Sequence, residues 1–122
     1  MTKNINISLE SFIRLYVFDA FRLAEKNLSV DDFYNSLFES VSLKVGVSKE
    51  VLLFLHHPFH WKFFGGENNS PLEYVPNTKP GEENYIMLKR NYIQGDIDKL
   101  SNKILKDYGN LLEEKIKKLN LF

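Results

Sequence analysis

The chain has 122 residues, of which 43% are hydrophobic and 14% aromatic, and its 16 basic and 16 acidic side chains cancel. A domain of this length buries roughly two-thirds of the surface its unfolded chain exposes, so a core can form without staples and wholesale disorder is excluded. The absence of cysteine excludes disulfides, thiolate nucleophiles and cysteine-ligated metal centres, and the neutral balance announces no surface for polyanions.

Met1 to Ser8 holds no apolar run of signal-peptide length, and no window is long and apolar enough to span a bilayer. The expectation is a cytoplasmic chain with no membrane segment and no cofactor. Lysine far outnumbers arginine, a composition associated with AT-rich microbial genomes.

Ser8 can cap a helix whose apolar residues Leu9, Phe12, Ile13, Tyr16, Ala20, Leu23 and Ala24 recur at threes and fours, the period of one helical face. Leu15, Val17, Phe18 and Phe21 widen the apolar surface, which predicts a central helix packed on more than one side. Ser29 with Asp32 is a capping-box arrangement, flanked by Leu28 and Phe33 as a hydrophobic staple. The helix it opens has Val30, Phe33, Tyr34, Leu37, Phe38, Val41 and Val45 as its buried stripe, and Gly46 can take the left-handed conformation that ends it.

Ser48 caps a third helix through Val51 to Leu55. Pro58 lacks an amide hydrogen and biases His57 away from helical geometry, so this helix is expected to stop near His56 or His57. A new one is then expected from Pro58 to Phe64, closed by Gly65-Gly66. Residues 65–82 show no helical period and are dense in turn formers, which marks one long loop that can hold a strand at Leu72 to Val75. Beyond it, Glu83 to Ile93 and Asp96 to Leu119 carry Ile86, Ile93, Ile97, Leu100, Ile104, Tyr108, Leu112, Ile116 and Leu119 at helical spacing, which fits two or three helices, with Gly95 and Gly109 as candidate breaks. Tyr85 to Leu88 is apolar enough to be a strand instead. The expected fold is mostly α, a single compact domain over residues 1–122 of about five to seven helices, with one long central loop and room for a short strand pair.

Chemistry-bearing residues are few. His56, His57 and His60 lie together beside Trp61, but Pro58 interrupts the His56–His60 spacing and no Glu follows as in His-Glu-x-x-His, so no metal is expected. Glu67, Ser70 and Glu73 complete no hydrolytic constellation, and Gly-rich phosphate loops and nucleophile elbows are absent, which leads to the expectation of a protein that is not an enzyme.

Over Phe38 to His57, the run Val45-Gly46-Val47-Ser48-Lys49-Glu50 places a glycine at a turn, apolar residues on both sides and a serine cap on the following helix. It resembles the turn of tetracycline-repressor-type regulators. That resemblance implies a helix from Lys49 entering the major groove, with Ser48, Lys49, Glu50, Leu53 and Phe54 at reading positions. Base edges and phosphates require donors and cations, whereas Leu53 and Phe54 point to a buried helix. Nucleic acid is therefore not the expected partner, and a helix-turn-helix regulator using residues 38–57 is the alternative.

The leading expectation is a protein-binding module, a small inhibitor or immunity protein that neutralises a cationic bacterial toxin or nuclease by occluding its active site. Asp31, Asp32, Glu39, Glu67 and Glu73 are the candidate acidic contacts, with Trp61 and Tyr74 as anchors.

Overall fold

The computed structural model describes residues 7–64, 71–75, 84–89 and 94–119, with Tyr74 and Gln94 described in the backbone only. In chain order the elements are α1 (Leu9–Ala24), α2 (Val30–Val45), α3 (Lys49–Phe64), β1 (Leu72–Val75), β2 (Tyr85–Leu88) and α4 (Gln94–Lys118). The fold is a mostly α, single compact domain with a short β-hairpin.

Each of the first three helices starts on a serine whose hydroxyl accepts an orphan amide: Ser11 N to Ser8 Oγ at 3.1 Å, Asp32 N to Ser29 Oγ at 3.3 Å, and Val51 N to Ser48 Oγ at 3.3 Å. Gly46 ends α2 at φ 82°, a left-handed conformation that a Cβ would oppose, and its amide donates to the Ser42 carbonyl at 2.8 Å. The Ser42 hydroxyl also donates to the Val47 carbonyl. The corner between α2 and α3 is thus fixed by hydrogen bonds on both sides of the glycine.

α1 is the central helix, packed on both α2 and α4. Phe12, Ile13, Tyr16, Val17, Ala20, Phe21, Leu23 and Ala24 are all buried, as the widened apolar surface requires, while Phe18 stays 40% exposed. Asp19, also on α1, is fully buried. Its carboxylate accepts from Ser40 Oγ at 2.8 Å and from Lys44 Nζ at 2.9 Å, with Arg22 Nε 3.6 Å away, so a charge that would be costly alone is paired and joins α1 to α2.

The strands pair antiparallel with Leu72 opposite Leu88 and Tyr74 opposite Ile86. The linker between α1 and α2 adds a third extended segment to them. Ile86 N donates to the Leu28 carbonyl at 2.9 Å, and Val30 N, a first-turn amide of α2 with no helical acceptor, donates to the Asn84 carbonyl at 3.0 Å. Leu72 and Ile86 then enter the common core.

Two expected breaks do not occur, and Tyr85–Leu88 pairs as a strand instead of joining a helix over Glu83 to Ile93, which is why the described residues hold four helices where about five to seven are expected. α3 runs unbroken through Pro58 to Phe64, and α4 runs through Gly109, while Gly95 stands in the first turn of α4. At Gly109 the intrinsic penalty of about 1 kcal/mol is outweighed by burial of Ile104, Leu112 and Ile116 along the same helix. At Pro58 the missing hydrogen bond is replaced from another element, as described below.

Candidate partner-binding surface

α3 has an inner side, carrying Leu52, Leu55, His56, Phe59 and Phe63, all buried, and an outer side, carrying Leu53, Phe54, His57 and Trp61, all exposed. The inner side is an aromatic junction. Tyr16 of α1 stacks on Phe59 with ring centroids 3.9 Å apart, and its hydroxyl is 2.5 Å from His56 Nδ1. Donation from the Tyr16 hydroxyl to Nδ1, with the His56 proton on Nε2, is the tautomer assigned to this pair, because the opposite one would leave both the Tyr16 proton and the Nε2 lone pair buried without a partner. That Nε2 is buried and finds no hydrogen-bond partner; the rings of Tyr34 and Phe38 stand edge-to-face to His56 at 5.0 and 5.5 Å.

A second pair repeats the pattern closer to solvent, with Tyr34 Oη 3.2 Å from His60 Nδ1. Burial lowers the His56 pKa to about 4, with His60 and His57 adding repulsion in the charged form. His60 is lowered for the same reason, burial first and then His57. Burial raises the Tyr16 hydroxyl well above its ordinary value, and Tyr34 adds to this. Both histidines are therefore held neutral, which suits a junction between helices. His57 turns outward, its ring 6.1 Å from that of Trp61. Among the described residues no group of three or more histidine, cysteine or carboxylate side chains is gathered to hold a metal ion.

The outer side contradicts the expectation that Leu53 and Phe54 are buried: they are 65% and 48% exposed, and Trp61 is 53% exposed. The physical reason is the width of the apolar arc. α3 is apolar nearly all round, and its inner neighbours α1, α2, α4 and β1 cover only part of that circumference. Sequence gave no signal to tell covered from uncovered, since Phe54 and Phe59 are the same residue type.

The charged side chains of α2, α3 and α4 include both engaged and open groups. Lys62 donates to Asp107 at 2.6 Å, a hydrogen bond that holds the Asp107 carboxyl below its usual value, and lies 5.5 Å from the Tyr108 ring. Lys115 donates to the Phe54 carbonyl, and Lys44 is bound to Asp19. Asp31, Asp32, Glu39 and Glu50 are exposed and make no ion pair among the described residues. Lys49 is likewise open.

Of the residues expected to contact a partner, Asp31 and Asp32 occupy the first turn of α2, where they also oppose the positive end of the helix dipole. Tyr34 meeting His60 and Phe38 meeting His56 show that α2 and α3 run in opposite directions, so the start of α2 lies beside the end of α3 and Trp61. The hairpin joins this end through Val30 and Asn84, which brings exposed Glu73 of β1 into the same region. Glu39 lies about two turns further along α2. Tyr74 pairs with Ile86 in the backbone, but its side chain falls outside the described residues, as does Glu67 entirely.

Sequence reasoning missed both Tyr–His pairs and the buried Asp19. The only available signal was that Tyr16 and Tyr34 fell on stripes otherwise made of hydrocarbon, positions where a hydroxyl needs a partner. No protein-family model, no curated protein and no solved structure matches the chain.

Proposed function

We propose that the chain is a non-enzymatic protein-binding module, a small inhibitor or immunity protein that seats the outer side of α3 and the acidic margin of α2 in a cationic cleft of a toxin or nuclease. The observation that carries this reading is the exposed ridge of Leu53, Phe54 and Trp61 on one helix. Isolated exposed apolar residues need no explanation, but a run along one helix is the form taken by interfaces, where aromatic residues anchor and polar residues form the rim. The nature of the partner follows from charge. With Lys44, Lys62 and Lys115 engaged, the open charges of α2 and the start of α3 are Asp31, Asp32, Glu39 and Glu50 against Lys49, and this excess of carboxylates favours lysine- or arginine-rich protein over phosphate. Inhibition by occlusion needs no catalytic group.

The reading is tested by affinity capture from the source cells at moderate salt, with nuclease treatment, using the native chain and the Leu53→Glu/Trp61→Ala double variant. The expected result is one equimolar protein, silenced in the complex, that the variant fails to retain although its thermal unfolding is unchanged. Retention of nuclease-sensitive DNA with no protein would overturn it.

That outcome would favour the second reading, a helix-turn-helix regulator. One observation supports it: the α2–α3 corner is built on Gly46 and Ser48, and Ser48, Lys49, Glu50, Leu53 and Phe54 are all exposed. Its weakness is chemical, because two of those five side chains are hydrocarbon and one is an acid.

A further inference from the structure

Pro58 stands inside α3 and carries no amide hydrogen, so the carbonyl one turn back, that of Phe54, has no helical donor. A donor arrives from α4. Lys115 Nζ lies 3.3 Å from the Phe54 carbonyl oxygen, and the same ammonium is 4.9 Å from the centroid of the Phe54 ring. One side chain thus satisfies the backbone group that proline orphans and holds the ring of the same residue by a cation–π contact. Phe54 lies before Pro58 and Trp61 after it, so the spacing of the two exposed rings depends on α3 keeping its helical course across the proline.

We propose that Lys115 is a latch that mends α3 at Pro58 and thereby fixes Phe54 and Trp61 relative to one another. It is a positioning residue for the docking surface. In that purpose the inference rests on the partner-binding reading, but the latch itself acts in the free protein and is tested there. Without the latch, the half of α3 after Pro58 is held by its inner contacts and by Lys62 on Asp107, and it opens more often. With an amide restored at position 58, the Phe54 carbonyl no longer needs Lys115.

The test is amide hydrogen exchange, read residue by residue, in the native chain and in Lys115→Met, Lys115→Arg, Pro58→Ala and the Pro58→Ala/Lys115→Met double variant. Methionine keeps an apolar stem and removes the charge and donor. The expected result is that Lys115→Met speeds exchange about fivefold at Phe59, His60, Trp61 and Lys62, leaves α1 amides unchanged, and is reversed by Lys115→Arg. In the Pro58→Ala background the same substitution should change exchange less than about twofold, because the backbone then supplies the bond. Equal acceleration in both backgrounds, no acceleration with Pro58 present, or acceleration that extends uniformly into α1 would overturn the latch. Since no partner enters the experiment, a chain that shows this coupling yet captures no protein retires the partner reading and leaves the latch standing.

Discussion

On the inner side of α3, Phe59 and Phe63 meet the ring of Tyr16, while on the outer side Leu53, Phe54 and Trp61 meet solvent. The two sides have similar composition and are interleaved along one helix, so hydrophobicity does not separate them. What separates them is supply from opposite. The inner side receives shape from α1 and hydroxyls from Tyr16 and Tyr34, which give Nδ1 of buried His56 and of half-buried His60 a hydrogen-bond partner. Among the described residues the hydrogen bond and ring contact that the outer side receives from another element come from Lys115, and they go to a backbone carbonyl and one ring face. An apolar side chain is therefore core or interface according to what the rest of the chain sets against it.

The sharpest way to break this comparison is to truncate one ring on each side. Phe59→Ala should destabilise the fold by about 3 to 4 kcal/mol in urea unfolding, whereas Leu53→Ala and Trp61→Ala should each stay within about 0.5 kcal/mol. A comparable loss on both sides would mean that the outer ridge is part of the core after all.

Acid should act on the inner side alone. The His56 pKa is lowered from 6.5 to about 4 in the fold, so between these values the unfolded chain binds the additional proton. Stability should then fall as pH drops through that window, by on the order of 3 kcal/mol, with no further loss from this group at lower pH. His60, also lowered, acts in the same direction. Urea midpoints measured across the window should show the slope, and a Tyr16→Phe/His56→Leu double variant should flatten it.

The single change Tyr16→Phe leaves His56 Nδ1 buried without its donor and should cost about 1 to 3 kcal/mol at neutral pH, while the double variant, which removes both partners, should cost less. The smallest expected effect lies away from both sides of α3. Gly109→Ala places a Cβ 3.2 Å from Leu105 Cδ1, the movable end of a half-buried side chain, and should raise the unfolding midpoint by an amount equivalent to about 0.5 kcal/mol.

The helices of the first half were legible because their boundaries are local chemistry. Ser8, Ser29 and Ser48 cap, and Gly46 stops, through bonds to residues a few positions away. The strand at Leu72 to Val75 was legible inside the loop, but Tyr85 to Leu88 was legible only as an alternative to a helix over Glu83 to Ile93, because so short an apolar run carries no period, and the pairing with Leu28 and Val30 was not legible at all. Pro58 was misread for the opposite reason. Its compensation comes from Lys115, remote in sequence, and no local rule contains it. Gly109 fails as a break because packing along α4 outweighs propensity. Of the expected contact residues, Asp31, Asp32, Glu39, Glu73 and Trp61 are exposed, but recognising the ridge to which Trp61 belongs required knowing which side of α3 the other helices leave bare.

The bond from Val30 to Asn84 has a consequence for how the chain acquires its shape. α2, the corner and α3 involve neighbours in sequence and can form early, on the timescale of local helix pairing. The first turn of α2 is completed only when a segment from the far half of the chain arrives, which requires closing a long loop and losing its entropy. Refolding should therefore show helical signal gained ahead of protection at Val30 and Ile86, with the hairpin docking last and setting the overall rate.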